Sequence, residues 1–277
     1  MNVGIVGLGL IGGSMAKSIQ ARTSHTVWGL DRDTEPLHLA KITGAIDGEL
    51  TEETLPRCDL ILLALRPQAA VAWAAAHADG ISPSAVVVDC CGVKRTVTEP
   101  MAALAAQHGF AYIGGHPMAG KEYGGFANSS AHLFDGAAMI LTPDSRTDLP
   151  MLEMLKAFFL EIGFARLTFT SPEEHDRIIA YTSQLAHITS SAYVKSSDAL
   201  RCGGFSAGSF QDMTRVAHLD EEMWTELFLD NADYLTGQLE ELTGHLSEYL
   251  SALRQRDAET LRSLLKEGRE RKSASGL

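Results

Sequence analysis

A short apolar run, Val3-Gly4-Ile5-Val6, ends in Gly7, and Gly7, Gly9 and Gly12 then form a G-x-G-x-x-G pattern that leads into a helix-compatible stretch over residues 15–21. Few patterns constrain a chain so tightly. A strand must stop, the backbone must turn sharply, and a helix must begin with its first N–H groups free. Gly7 allows the tight turn, Gly9 lets the backbone approach a pyrophosphate, and Gly12 lets the helix pack closely on the strand. The helix start offers free N–H groups and a partial positive charge to phosphate. Leu8, Leu10 and Ile11 are expected to line the same loop. A second apolar run, Thr26–Leu30, ends at Asp31, about 20 residues after the fingerprint. An acid there suits ribose hydroxyls and repels a 2′-phosphate, so NAD is expected rather than NADP. Arg32 pulls the other way, because an arginine can meet a 2′-phosphate.

Further apolar runs cover residues 59–65, 85–88, 110–113, 138–141 and 166–169, with helix-compatible stretches at 34–42, 93–107 and 149–162. Continuous apolar runs of this length read as strands buried on both faces. The alternation predicts a Rossmann-like, doubly wound, mostly parallel α/β sheet over residues 1–169. Ligands of such sheets bind beyond the carboxyl ends of the strands. Gly7, Asp31, Leu65, Arg66, Asp89 and His116 fall at those ends, with Gly92 just beyond.

The composition changes at Thr170. Ser171-Pro172-Glu173-Glu174 reads as a capping box with proline at the first helical position. No clear strand pattern follows, so residues 170–277 read as an all-helical domain. Its first helix is expected to reach about Tyr193, with Ala180, Gln184, His187 and Ser191 on a small polar face and Ile178, Tyr181, Leu185 and Ile188 on the core face. A long helix is expected from about Asp220 to Leu253, on the order of 50 Å. Leu235, Leu239, Leu242, Leu246, Leu250 and Leu253 recur along it at helical spacing. A helix longer than its domain usually packs against a partner, so a homodimer through this half is expected. Gly237 and Gly244 offer places for a break. Asp257 suits the cap of a last helix ending near Gly268, residues 269–272 read as a frayed tail, and no regulatory domain is expected after it.

A formal net charge of −12 argues against a nucleic-acid partner. No run approaches the ~18 apolar residues of a membrane span. Cys58, Cys90, Cys91 and Cys202 lack disulfide or metal spacing and read as reduced thiols of a cytoplasmic protein. No H-E-x-x-H or Cys/His cluster suggests a metal.

Of ten histidines, His25, His38, His77, His108, His132, His175, His218 and His245 lie in polar or loop settings and read as surface residues. His116 differs, because it follows Gly114-Gly115 at a strand end and precedes Pro117. A histidine there can act as base or hydrogen-bond acceptor near neutral pH. His187 is expected either to face a cleft between the halves or to pack on the sheet. Arg215, after a glycine loop, offers a planar fork to a carboxylate, or an ion pair to Asp212 or Asp220. Lys121 and Glu122 can touch a substrate or each other.

Gly-Leu-Gly-Leu-Ile-Gly-Gly-Ser at 7–14, His-Pro-Met-Ala-Gly-Lys-Glu at 116–122, Gln-Leu-Ala-His at 184–187 and Thr-Arg-Val-Ala at 214–217 occur in that order, with Met223-Trp224 and Asn231 after them. Over nearly its whole length the chain resembles the prephenate/arogenate dehydrogenase family of tyrosine biosynthesis. The resemblance implies an NAD(P)-dependent oxidative decarboxylation giving 4-hydroxyphenylpyruvate from prephenate. It implies that His116 bonds the ring hydroxyl and draws its proton, that Arg215 holds a carboxylate, and that Gln184, His187 and Lys121 belong to the substrate pocket. One position departs from the pattern. The family commonly has Asp-x-x-Ser-Val-Lys after the fifth strand, whereas this chain has Asp89-Cys90-Cys91-Gly92-Val93-Lys94. Either the serine hydroxyl is dispensable, or Cys91, a backbone N–H or a water does its work. No residue firmly separates prephenate from arogenate. A β-hydroxyacid dehydrogenase would need a lysine on the first helix of the second half, where only Lys195 stands, near the helix end. A non-catalytic NAD sensor fits Gly92 but not the retained His116 and Arg215.

Overall fold

The computed structural model describes residues 1–276. Eight strands, β1 (Asn2–Val6), β2 (Thr26–Leu30), β3 (Gly48–Glu49), β4 (Leu60–Leu63), β5 (Val86–Asp89), β6 (Ala111–Pro117), β7 (Ala138–Thr142) and β8 (Arg166–Phe169), form one sheet in the order β3-β2-β1-β4-β5-β6-β7-β8. All neighbours are parallel except β6 and β7. Helices α1 (Leu10–Arg22), α2 (Thr34–Ile42), α3 (Pro67–His77), α4 (Arg95–His108) and α5 (Leu149–Glu161) connect them.

Side chains alternate across the sheet with the strand period of two. Leu60 and Leu62 of β4 join Met15 and Ile19 of α1 and Phe158 and Phe159 of α5 in one core layer. Ile61 and Leu63 join Ala70 and Ala74 of α3 and Val97 and Met101 of α4 in the other. Both faces are therefore covered, as the unbroken apolar runs predict. The two-residue β3 has no sequence counterpart in the expectation; it is too short for a periodic signal.

β6 runs further than residues 110–113. Its first part pairs in parallel with β5 as far as Ile113, and Gly114 to Pro117 then pair antiparallel with β7, His116 opposite Ile140. The antiparallel partner lets β6 outrun β5, and this places His116 beyond the end of the central strands.

The rest is helical: α6 (Pro172–Ile179), a π-helical turn (Ala180–Gln184), α7 (Leu185–Tyr193), α8 (Gly208–Thr214), α9 (Glu221–Asp230), α10 (Ala232–Gln255) and α11 (Ala258–Ala274). The expected single helix from Asp220 to Leu253 is two helices, broken at Asn231 (φ −125°, ψ 24°) and not at Gly237 or Gly244. The Asn231 side chain is fully buried, where it donates to the Asp176 carbonyl and to Gln184 Oε1, both at 2.8 Å, and accepts from Arg95 at 2.9 Å. Those three bonds hold the break. Ile178 and Tyr181 are exposed rather than core, whereas Leu185 and Ile188 of the same expected face pack with Ala180 and Leu235; the π-helical turn over Ala180–Gln184 shifts the helix phase between the two pairs. The tail read as frayed is helical through Ala274.

Among the described residues of this half, Ala180, Leu185 and Leu235 form the one buried apolar cluster, while Leu229, Leu246, Leu250 and Leu253 are exposed. Among the described residues no helix is long and apolar enough to cross a membrane.

Candidate active site

The glycine turn shapes the first part of the site. Gly7 has φ +90°, and a Cβ there would lie 2.9 Å from Leu65 Cδ2. Gly9 is different: a Cβ there would meet nothing within 4 Å, so the turn faces open space. Gly9 is also the N-cap of α1, with no side-chain cap and no acidic residue in the first turn, so no side chain competes for the helix start. Leu8 N donates to Asp31 Oδ2 at 2.6 Å, and Asp33 N donates to Oδ1 at 3.0 Å. Asp31 thus braces the loop from the end of β2. Arg32 is exposed and approaches Asp33 at 3.7 Å. Leu10 and Ile11 are half-buried in the first turn of α1. Arg66 is the N-cap of α3 and reaches Asp220 at 3.3 Å, while Gln68 N donates to Glu226 Oε1 at 3.0 Å. These contacts bring α9 over the strand ends.

The second part lies under His116. Lys94, at the start of α4, is fully buried. Its ammonium donates to Asp89 Oδ1 and, at 2.5 Å, to the Gly115 carbonyl. Asp89, also fully buried, accepts from Cys91 N at 2.9 Å, Tyr112 OH at 2.7 Å and Gly115 N at 3.3 Å. A buried charge pair needs such satisfaction of its remaining sites. It ties the ends of β5 and β6 to α4.

His116 Nδ1 is 2.9 Å from His175 Nε2, and His175 Nδ1 is 2.7 Å from Asp176 Oδ1. Contrary to the surface reading of His175, it is 2 % exposed and Asp176 is 0 % exposed. Pro172 starts α6 so that its first inward turn carries these two residues, one turn ahead of the buried Ile179 and Ala180. That spacing was the available signal, and the charged neighbours Glu173 and Glu174 masked it. Burial, with the positive Lys94 nearby, lowers the pKa of both histidines, His116 the more strongly.

Gly92 lies beside this pair. A Cβ there would be 3.9 Å from His116 Nε2 and 3.4 Å from Leu227 Cδ2 of α9, an ordinary contact. The place of the family serine is therefore next to the free nitrogen of His116. Neither thiol fills it. Cys91 Sγ points to the Leu65 carbonyl at 3.5 Å within the α3/α4 core layer, and Cys90 packs against the opposite layer. Burial pushes the Cys90 thiol up to about 12 and the Cys91 thiol up as well.

Among the expected substrate contacts, His187 and Arg215 come together. His187 Nδ1 donates to the Ser183 carbonyl at 2.8 Å, and its ring lies 4.0 Å from that of Trp224. Burial and the Arg215 charge lower its pKa. Arg215 is exposed and makes no ion pair among the described residues; Asp220 is taken by Arg66 and not by Arg215. Gln184 is not a cleft residue. Its amide donates to the Leu227 carbonyl at 2.9 Å and accepts from Asn231 at 2.8 Å, which uses both ends in joining helices. Lys121 is exposed and bonds the Asn128 carbonyl of its own loop at 2.7 Å, not Glu122. Among the described residues no group of His, Cys, Asp or Glu is placed to hold a metal.

Residues 15–168 match the family model of the prephenate dehydrogenase nucleotide-binding domain, and residues 171–267 match that of the prephenate dehydrogenase dimerization domain. The chain belongs to the prephenate dehydrogenase family. It is 30% identical to a prephenate dehydrogenase of Bacillus subtilis, with 93% of this chain and 71% of that one covered. A solved structure of the prephenate dehydrogenase from A. aeolicus, in complex with hydroxyphenyl propionate and NAD+, superimposes with a TM-score of 0.85 at 29% identity, covering 99% of this chain and 98% of that one. The arogenate dehydrogenase of Synechocystis gives a TM-score of 0.81 at 26% identity, covering 99% and 100%. Prephenate dehydrogenases and an arogenate dehydrogenase thus share this architecture.

Proposed function

We propose that this member of the family is an NAD-dependent prephenate dehydrogenase with His116 as its base. The observation that carries the reading is that His116 Nε2 has no hydrogen-bond partner among the described residues and lies beside Gly92 at the strand edge that the glycine loop also occupies. The backbone of residues 7–12, with Leu8, Leu10 and Ile11, holds the diphosphate. Asp31 meets the ribose hydroxyls; Arg32, Leu65, Arg66 and Gly92 line the remaining cofactor wall. Bound NAD supplies the hydride acceptor. His116 Nε2 takes the ring hydroxyl proton as the C–H electron pair departs. The bond from the ring to its carboxylate then breaks, carbon dioxide leaves, and the released pair completes the aromatic ring. His116 returns its proton to the oxygen, which ends as a phenol, so the step releases no net proton. Arg215, without an ion pair among the described residues, holds a substrate carboxylate with His187 beside it.

The defining experiment crosses prephenate and arogenate with NAD and NADP and follows the absorbance of reduced cofactor. Turnover with prephenate and NAD is expected. NAD binding without turnover in any combination would sink the assignment and favour a sensor.

Two further outcomes follow from the geometry. Gly9→Val should fold normally, since its side chain enters open space, yet weaken NAD by at least roughly tenfold through loss of one backbone approach, about 1.4 kcal/mol. Titration of NAD against a melting curve of the free protein separates the two effects. The acid limb of kcat/KM should lie below the usual histidine value of 6.5, because burial and Lys94 favour the neutral base. The sign is fixed: a lowered pKa keeps His116 competent as pH falls, and a limb above 6.5 would contradict the assignment.

The helical half is proposed to form a homodimer. Its single-chain core is too small to cover the α10 leucines, and the matched family model is a dimerization domain. Light scattering should return twice the 29.8 kDa chain mass.

A further inference from the structure

Asp176 accepts from four N–H groups and offers none. Its Oδ1 takes Lys94 N at 2.8 Å and His175 Nδ1 at 2.7 Å; its Oδ2 takes Arg95 N at 2.9 Å and Arg95 Nε at 3.2 Å. Every one of these donors stabilises the ionised carboxylate, and His175 with the two backbone N–H groups lowers its pKa. A carboxylate has no proton to give, so the proton of the 2.7 Å contact sits on His175 Nδ1. Neutral His175 then presents a lone pair at Nε2. The 2.9 Å contact can form only if His116 Nδ1 is the donor, which leaves His116 Nε2 as the unprotonated nitrogen.

We propose that His175, anchored by Asp176, is the positioning residue that holds His116 in the tautomer whose Nε2 lone pair faces the substrate. This rests on the reading of His116 as the base. It also says why Gly92 is tolerated: the tautomer is set from the Nδ1 side, within the buried helix start, and needs no hydroxyl at the Nε2 side.

The arrangement also accommodates the proton during turnover. When His116 takes a proton at Nε2, its Nδ1 proton points at His175 Nε2. A shift along that bond breaks N–H on His116, forms N–H on His175, and places the positive charge against the Asp176 carboxylate. The charged groups around the pair are Lys94 and Arg95 of the α4 start, Asp89 of β5 and Asp176 of α6. Burial and Lys94 keep the resting pair neutral at pH 7, as the tautomer requires.

The first test needs no variant. Nitrogen-15 spectra of histidine-labelled protein with NAD bound should show His116 and His175 each protonated at Nδ1 and bare at Nε2. A proton on His116 Nε2 in the resting enzyme would overturn the proposal. The second test is a pair of substitutions. His175→Phe keeps the ring and removes the acceptor; kcat should fall roughly 10²-fold while KM and NAD affinity hold. His175→Gln restores an acceptor oxygen near the Nε2 position and should return kcat to within roughly tenfold of the parent. A phenylalanine variant with unchanged kcat, or a glutamine variant as slow as phenylalanine, would overturn it. Should the phenylalanine variant fail to fold, the spectrum and the glutamine variant still decide. His116→Asn separates the two levels: full turnover in that variant would refute His116 as base, whereas loss there with a normal His175→Phe would refute only the relay.

Discussion

His116→Asn is expected to retain NAD and to lose roughly 10²–10⁴-fold in turnover, the range for removal of a general base. The ring stands on the stretch of β6 that pairs with β7, whereas the diphosphate and ribose contacts are assigned to the glycine turn and Asp31, so cofactor affinity has little reason to change. Asparagine keeps a donor near the Nδ1 position and so preserves the contact to His175, while nothing remains at Nε2 to take a proton. The loss should therefore appear in kcat, with KM for prephenate little altered. Steady-state kinetics with a separate NAD titration reads both quantities. Unchanged kcat would remove His116 from the chemistry.

Lys94→Met should have the largest effect on stability. It leaves the Asp89 carboxylate buried without its cation and deprives the Gly115 carbonyl of a donor. Breaking a buried pair in this way costs about 3–5 kcal/mol. For a chain of this size that lowers Tm on the order of 10 °C. The double variant Asp89→Asn, Lys94→Met should recover part of the loss, because no unpaired charge remains, although Tyr112 OH and Cys91 N then bond a weaker acceptor. Thermal melts of the three proteins test this, and a Lys94→Met protein that melts with the parent would show that the pair is not holding the strand ends together.

Much of this architecture was legible in the chain. Continuous apolar runs give strands buried on both faces, and the fingerprint with Asp31 and His116 falls at one sheet edge. The failures have a common physical origin, which is that the deciding interactions are long-range and polar. Asn231 breaks a helix whose own periodicity is unbroken, because Asp176, Gln184 and Arg95 converge on its amide. Gln184 shares a helix face with His187, yet the Leu227 carbonyl and the Asn231 amide draw it into the join between helices. His175 sits in a charged stretch and is buried only because Asp176 meets the backbone of Lys94 and Arg95.

Gly115 has a consequence for how this site tolerates change. A Cβ there would lie 2.7 Å from Met139 Cε and 2.8 Å from Val88 Cγ1, so β6 is pressed against both of its neighbours one residue before His116. Strand register decides which face a side chain occupies, and a slip of one residue reverses it. The residue that bears no chemistry thus fixes where the chemistry happens. A methyl group added at Gly115 is expected to displace His116 with every reacting group still present, and a mutational survey scored by charge and polarity would pass over the position.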